Sequence, residues 1–264
     1  MIPIVLIGAA GRMGRAVDEL ARASRDLEIR ARVDRADAPG ARMGANLIES
    51  SGVWSEDAAA VIRAKDVVIE FSTPAACRAV AALCAERGAA LVSGTTGLAP
   101  ADEAAVRSAA ERVPVVRAAN FSLGIAALHR ALDAVLKALP RGWDVEIIER
   151  HHRHKADSPS GTALALAHAA QAHLGRPSSG IVHGRSGRVG ERPEGEIGVH
   201  AVRGGSQTGE HEIVIAGEGE WIELRHVAQD RQAFAAGALT AARFVTTARP
   251  GFYRIDDVLS ANSP

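Results

Sequence analysis

This chain of 264 residues has no apolar run approaching the roughly 20 residues that cross a bilayer. The apolar stretch from Ile2 to Ile7 lacks a basic lead and runs into a glycine, so it does not read as a secretory leader, and a cytoplasmic location is expected. An excess of either charge is also missing. There are 31 basic and 31 acidic residues, and a formal net charge of zero gives no bulk field for nucleic acid or a membrane surface. Cysteine is nearly absent: Cys77 and Cys84 stand seven apart in a helical pattern, which suits small core residues on one face better than a disulfide or metal pair. Lysine is scarce too, with only Lys65, Lys137 and Lys155 among the 31 basic residues. No internal repeat or low-complexity tract appears. With 47% hydrophobic and 23% charged residues, the chain can bury a substantial core in one large or two medium domains.

What is present is concentrated in one stretch. His151, His152, His154, Lys155, Asp157 and Ser160-Gly161-Thr162 fall within twelve residues, placing groups that move protons near neutral pH beside a compact cation. Such a run can also be a solvated loop or a metal-binding tract. Its flanks argue for a reaction centre. Upstream, Trp143 to Glu149 alternates apolar and polar residues as a half-buried strand does, so the histidines stand at a strand's C-terminal end. Downstream, Ala163 to Ala170 reads as a helix whose first turn carries Ser160, Gly161 and Thr162. The N–H groups and dipole of that helix start attract anions, and Gly161 lets a ligand approach, so a carboxylate fits there.

The first half of the chain alternates strand and helix. Ile2 to Gly8 reads as a buried parallel strand, followed by Gly8-Ala9-Ala10-Gly11-Arg12-Met13-Gly14 and a helical pattern. Glycines suit a tight turn that a pyrophosphate approaches, although Ala10 and Gly11 depart from a literal Gly-x-Gly-x-x-Gly. Leu27 to Val33 is a second strand, with Asp34 at its end where a carboxylate would accept adenosine ribose hydroxyls. Arg35 beside it can stack on adenine or meet a 2′-phosphate, which predicts NADH use with tolerance of NADPH. Further strands over Asp66–Phe71, Ala89–Ser93 and Val113–Arg117 alternate with helices over Ala75–Arg87 and Ala101–Arg112. Their C-terminal ends carry Phe71, Gly94-Thr95-Thr96 and Ala118-Ala119-Asn120-Phe121, small and polar groups suited to a ribose and nicotinamide slot. The expected fold class is α/β: a doubly wound, mostly parallel sheet of Rossmann type.

After Asn120 the alternation changes. A helix over Leu123–Leu139 leads to the strand before the histidines, and strands over Ile197–Val202, Glu210–Ala216 and Trp221–Val227 follow, the last two joined as a hairpin at Gly217–Glu220. This predicts a second, α+β domain built on an open mixed sheet that offers an oligomer surface. The loop Gly184–Pro193, with Arg185, Arg188 and Arg192, is read as a mobile lid, a subunit contact or a solvated loop. The helix Gln232–Thr247 has no strands of its own and can return to the first domain. The domain boundaries are thus 1–122 plus 232–264 for the dinucleotide domain and 123–231 for the second.

On the residues Gly8 to Gly14, Gly94-Thr95-Thr96-Gly97, Ala119-Asn120-Phe121-Ser122 and above all Glu149 to Ala163, the whole chain resembles the 4-hydroxy-tetrahydrodipicolinate reductase (dihydrodipicolinate reductase) family of lysine biosynthesis. It departs from the family pattern at Ser158 and Ala10, and neither change removes a reacting group. The resemblance implies that His151 donates or accepts a proton and Lys155 donates one. It implies that His152, Lys155, Gly161 and Thr162, with Ser160, hold a cyclic dicarboxylate. Gly8, Ala9, Ala10, Gly11, Arg12, Met13, Asp34, Arg35, Phe71, Gly94, Thr95, Thr96 and Ala118 to Phe121 would contact NADH or NADPH. It further implies a homotetramer, with no metal or flavin. A cofactor in one domain and the carboxylates in the other predict closure about hinges near Ser122 and Arg231. Other classes stay open here: a metal-dependent hydrolase using His151, His152 and His154, a non-catalytic NAD(P) sensor, and a semialdehyde dehydrogenase, which would need an exposed cysteine.

Overall fold

In a computed structural model that describes residues 1–38, 52–174 and 180–261, the opening apolar run forms strand β1 (Ile2–Ile7). It is apolar throughout because both of its faces are covered. Ile4 and Leu6 pack into one core, Val5 and Ile7 into another. By contact the chain divides into two units, Met1–Leu123 with Arg231–Pro264, and Gly124–Asp230.

The first unit is a parallel sheet ordered β12-β6-β5-β4-β1-β2-β3, whose edge strands are the short β12 (Gly251–Tyr253) and β3 (Val53–Ser55). The strands β2 (Leu27–Val33), β4 (Val67–Glu70), β5 (Ala90–Ser93) and β6 (Pro114–Arg117) fall on segments that the sequence reads as strands. Between them run α1 (Arg12–Arg22), a short α2 (Ala58–Val61), α3 (Pro74–Arg87) and α4 (Pro100–Ala109). Cys77 and Cys84 are fully buried on the α3 side of the sheet, and burial pushes the Cys77 thiol up to about 12. A nucleophilic role is therefore not available to them as they stand. The helix α7 (Gln232–Val245) packs with α1 on the opposite face, through Ala235, Ala238, Leu239, Ala241 and Ala242. The sequence reading left this returning segment without a strand. The structure adds β12 (Gly251–Tyr253), which pairs with β6, and a last helix α8 (Ile255–Ala261).

In the second unit, α5 (Leu123–Ala138) and α6 (Gly161–Leu174) cover one face of a mixed sheet ordered β11-β10-β7-β9-β8. Its strands are β7 (Asp144–His151), β8 (Ile181–Val182), β9 (Ile197–Arg203), β10 (Gly209–Gly217) and β11 (Glu220–Ala228). β10 and β11 form the expected hairpin, with Gly219 in the left-handed conformation at φ 78°. Period-two alternation decides the faces of β7. Val145, Ile147, Glu149 and His151 turn to the helices, while Asp144, Glu146, Ile148 and Arg150 turn away.

That second face is laced with charge. Arg150 bridges Glu210 and Glu212 at 2.6 and 2.7 Å. Arg185 and Arg192 of the Gly184–Pro193 loop, with His200, converge on Glu146. Burial works against ionising Glu146, but these hydrogen bonds outweigh it and hold the carboxyl at about 2. The loop is thus pinned at two arginines, and neither of those reaches solvent alone. Residues 175–179, which follow α6, lie outside the described residues.

Candidate active site

The residues expected to hold a dinucleotide all stand at the C-terminal ends of neighbouring strands in the first unit. The segment Gly8 to Met13 joins β1 to α1, Asp34 and Arg35 follow β2, Phe71 follows β4, Gly94 to Thr96 follow β5, and Ala118 to Phe121 follow β6. Their contacts bind these loops together. Gly8, at φ 77°, lies so close to Phe71 that a Cβ would sit 2.1 Å from the Phe71 carbonyl oxygen. The rings of Phe71 and Phe121 meet edge to face at 5.7 Å, and a Cβ on Gly94 would strike the Phe71 ring. The Asp34 carboxylate accepts the Ala10 N–H at 2.9 Å and the Arg35 N–H at 2.9 Å. Thr96 and Ala119 are exposed, and Arg35 extends outward near Asp37.

These groups fit a nicotinamide dinucleotide. Gly11 caps α1 without a side-chain hydrogen bond, and no acidic residue stands in the helix's first turn. The positive end of the helix is therefore not neutralised by a side chain of the helix's own cap or first turn. An anion such as a pyrophosphate suits that end.

One participant was not singled out in the sequence. Glu70, fully buried at the end of β4, accepts the Ser72 N–H at 2.8 Å, the Thr95 hydroxyl at 2.5 Å and the Ser93 hydroxyl at 3.0 Å, besides the Ser72 hydroxyl. It ties together the loops after β4 and β5. The visible signal was a carboxylate ending a wholly apolar strand, Val-Val-Ile-Glu.

In the second unit, the His-Lys run lies between the end of β7 and the start of α6, beside the turn that joins β9 to β10. His152 N–H donates to the Gln207 carbonyl at 2.8 Å and Gly204 N–H to the His151 carbonyl at 3.0 Å. His151 is buried, His152 and Lys155 are half-buried, and His154 is exposed. Lys155 Nζ donates to both Asp157 carboxylate oxygens, at 2.8 and 2.9 Å. That hydrogen bond lowers the Asp157 carboxyl below its ordinary range. Gly161 opens α6 on the exposed side, where a Cβ would meet nothing within 4 Å. Ser160 is placed differently. It is buried, its hydroxyl accepts the Ala163 N–H at 3.1 Å as an N-cap, and its own N–H goes to Glu149 at 2.9 Å.

Beneath the run lies a polar cluster on the helix-covered side of the sheet. Glu149 accepts from His151 Nδ1 at 2.5 Å and from both terminal nitrogens of Arg203 at 2.7 Å. Burial alone would raise Glu149, but the hydrogen bonds from His151, Arg203 and Ser160 prevail and hold it at about 2. His211 lies 3.1 Å from the Ser160 hydroxyl, its ring edge to face with His151 at 5.3 Å. Burial, and then the His151 charge, depress it to about 4. Arg203 and His211 carried no signal in the sequence, because they stand 54 and 51 residues from the partners they meet.

Among the described residues, no group of three or more His, Cys, Asp or Glu side chains is arranged to hold a metal ion. No helix among them is long and apolar enough to cross a membrane.

Comparison with known proteins agrees with this fold. The family model described as dihydrodipicolinate reductase, N-terminus, matches residues 2–121, and that described as dihydrodipicolinate reductase, C-terminus, matches residues 124–259. The 4-hydroxy-tetrahydrodipicolinate reductase of Thermomicrobium roseum is 45% identical over 260 residues, covering 98% of this chain and 100% of the relative. That of an Anaeromyxobacter species is 42% identical, covering 100% and 99%. Among solved structures, a dipicolinate-bound dihydrodipicolinate reductase from Paenisporosarcina superposes with a TM-score of 0.79 at 26% identity, covering 97% of this chain and 99% of that one. A myo-inositol dehydrogenase from Lactobacillus casei, solved with NAD(H), has a TM-score of 0.59 at 16% identity and shares the fold. With both halves matched and full-length relatives above 40% identity, the chain belongs to the dihydrodipicolinate reductase family.

Proposed function

We propose that this protein reduces 4-hydroxy-tetrahydrodipicolinate to tetrahydrodipicolinate with loss of water, in the diaminopimelate route of lysine biosynthesis, using NADH or NADPH. The observation that carries the reading is the placement of His151 and Lys155 beside the open start of α6. His151 is buried at the end of β7, Lys155 follows it in the same run, and Gly161 opens α6 with free space around it, which supports a site for a doubly anionic ring at this helix start. The bound dinucleotide supplies the hydride.

The protein's own groups do the rest. Loss of the ring hydroxyl as water leaves an electron-poor carbon, and after hydride arrives the neighbouring enamine needs a proton. One substrate, one NAD(P)H and one proton thus give one product, one oxidised cofactor and one water. In this reading His151 and Lys155 deliver that proton, and the Lys155 charge stabilises the anion that develops on the ring. His152, Gly161 and Thr162 hold the carboxylates, using the α6 dipole. Ser160 supports that grip from beneath as the cap of the helix. In the first unit, Gly8 to Met13 would receive the pyrophosphate, Asp34 the adenosine ribose, and Phe71, Gly94 to Thr96 and Ala118 to Phe121 the nicotinamide end. Arg35 is exposed beside Asp34, which suits either a ribose hydroxyl or a 2′-phosphate there and favours use of both dinucleotides.

The test is continuous absorbance of NADH and of NADPH with freshly generated substrate. Oxidation stoichiometric with substrate is expected with both cofactors. Folded protein that binds dinucleotide yet never oxidises it would leave a sensor instead.

The reading includes a homotetramer. Trp221, Val202 and Val227 are exposed, and strand register places all three on the sheet face turned away from the helices, in rows with Asp144, Arg150 and Glu210. Exposed apolar side chains among paired charges on a sheet face suit sheet-to-sheet association of like chains. Sedimentation equilibrium should report four times the 27.5 kDa protomer; a monomer at assay concentrations would contradict this.

A further inference from the structure

The end of β7, the end of β9 and the start of α6 meet at one atom group, the Glu149 carboxylate. It receives His151 Nδ1 from its own strand, both terminal nitrogens of Arg203 from β9 and the Ser160 N–H from the helix start. Glu149 has no exposed surface. A buried carboxylate with four such donors is expected to persist as the ionised, acceptor-only form. It then has no proton to give to His151, so the hydrogen between them belongs to His151 Nδ1. The ring's other nitrogen, Nε2, lies beside Gly209, where a Cβ would approach it to 3.1 Å and crowd it. Gly209 thus leaves room for the ring, and His211 bounds it edge to face at 5.3 Å.

We propose that Glu149 is a positioning residue for the reaction: it fixes His151 in the Nδ1–H tautomer, so that Nε2 is the atom that exchanges a proton with the ligand. This rests on the reading of His151 as a proton-transfer group. The same carboxylate holds two other pieces in place. Through Ser160 it sets the start of α6, which is to grip a ring carboxylate. Through Arg203, which also donates to the Asp157 carbonyl at 2.7 Å, it fixes the loop that carries Lys155. Acid, cation and helix end are in this way referenced to one buried charge. His211 and His226 are the other titratable side chains on the row that crosses Glu149 in β10 and β11. Burial lowers both, His211 to about 4, so neither adds a competing positive charge near neutral pH.

The substitution Glu149→Gln keeps the shape but turns one acceptor into an NH2 donor, which must face His151, Arg203 or the Ser160 N–H. The full-length variant, checked for folding by circular dichroism, should lose roughly 10²-fold in kcat, as expected when an imidazole loses the carboxylate that orients it. Its KM for NADH should stay within about twofold, because the dinucleotide residues belong to the other unit. Long-range ¹H–¹⁵N spectra of the unsubstituted protein, labelled at histidine and recorded where the ring is neutral, should find His151 protonated at Nδ1. A folded Glu149→Gln with the parent's kcat overturns the proposal, and so does a parent His151 protonated at Nε2 alone. Should Glu149→Gln not fold, the tautomer of the parent decides by itself. The two readings separate cleanly: a parent without turnover defeats the proposed function, whereas the tautomer spectrum needs no turnover.

Discussion

Lys155→Ala is expected to cost roughly 10²-fold or more in turnover while leaving the fold nearly untouched. The size follows from removing both a proton donor and a positive charge beside the developing anion. The specificity follows from what Lys155 touches. It pairs with Asp157, an exposed carboxylate, and such pairs contribute about 0–1 kcal/mol to stability. Thermal melting should therefore barely move. Lys155→Arg sharpens the test, because it keeps the charge but a guanidinium does not give up its proton near neutral pH. That variant should recover affinity for pyridine-2,6-dicarboxylate, measured by calorimetry, without recovering turnover. If Lys155→Ala turns over like the parent, Lys155 is not in the machinery.

A large loss of a different kind is expected from Gly14→Ala. Gly14 lies in the first turns of α1, pressed on the loop that precedes it. A Cβ there would stand 2.2 Å from the Gly8 carbonyl oxygen, 2.6 Å from Ala9 Cα and 2.7 Å from the Ala9 carbonyl oxygen. All three are backbone atoms, which have no rotamer by which to step aside. Either α1 moves off the sheet or the Gly8–Gly11 loop shifts, and that loop is the one proposed to meet the pyrophosphate. Overpacking of this kind costs about 1–3 kcal/mol. Each backbone contact to a charged group that is lost costs a further 1.5–3 kcal/mol of binding or so, about 10- to 150-fold in affinity. Urea denaturation and fluorescence titration with NADH measure the two separately. An unchanged Kd for NADH would mean that the loop does not bind it.

The parts that sequence made legible share a physical trait: their signal is local. β1 is a continuous apolar run because both of its faces are covered, and β7 alternates because one of its faces is not. The helix at Gly161 is announced by its own cap, Ser160. Strands of two or three residues, β3 (Val53–Ser55), β8 and β12, are too short to carry a period, and each is made a strand by the neighbour it pairs with. The organising carboxylates were hidden for a related reason. Alternation along β7 does place Glu149 and His151 on the buried side with Val145 and Ile147. What makes that burial tolerable is Arg203, which sheet register brings in from 54 residues away. Glu70 meets Thr95 in the same way across 25 residues. Ser160 shows the opposite limit: its residue type suggested ligand contact, but the structure spends both of its polar groups internally.

The crystal structure of the protein with pyridine-2,6-dicarboxylate and NADH bears most directly on the claim that residues 151–162 form the substrate site. One ring carboxylate is expected on the Gly161–Thr162 helix start and Lys155, with His151 Nε2 turned to the ring. A ring seated elsewhere on the chain, with Lys155 still paired only to Asp157, would contradict it.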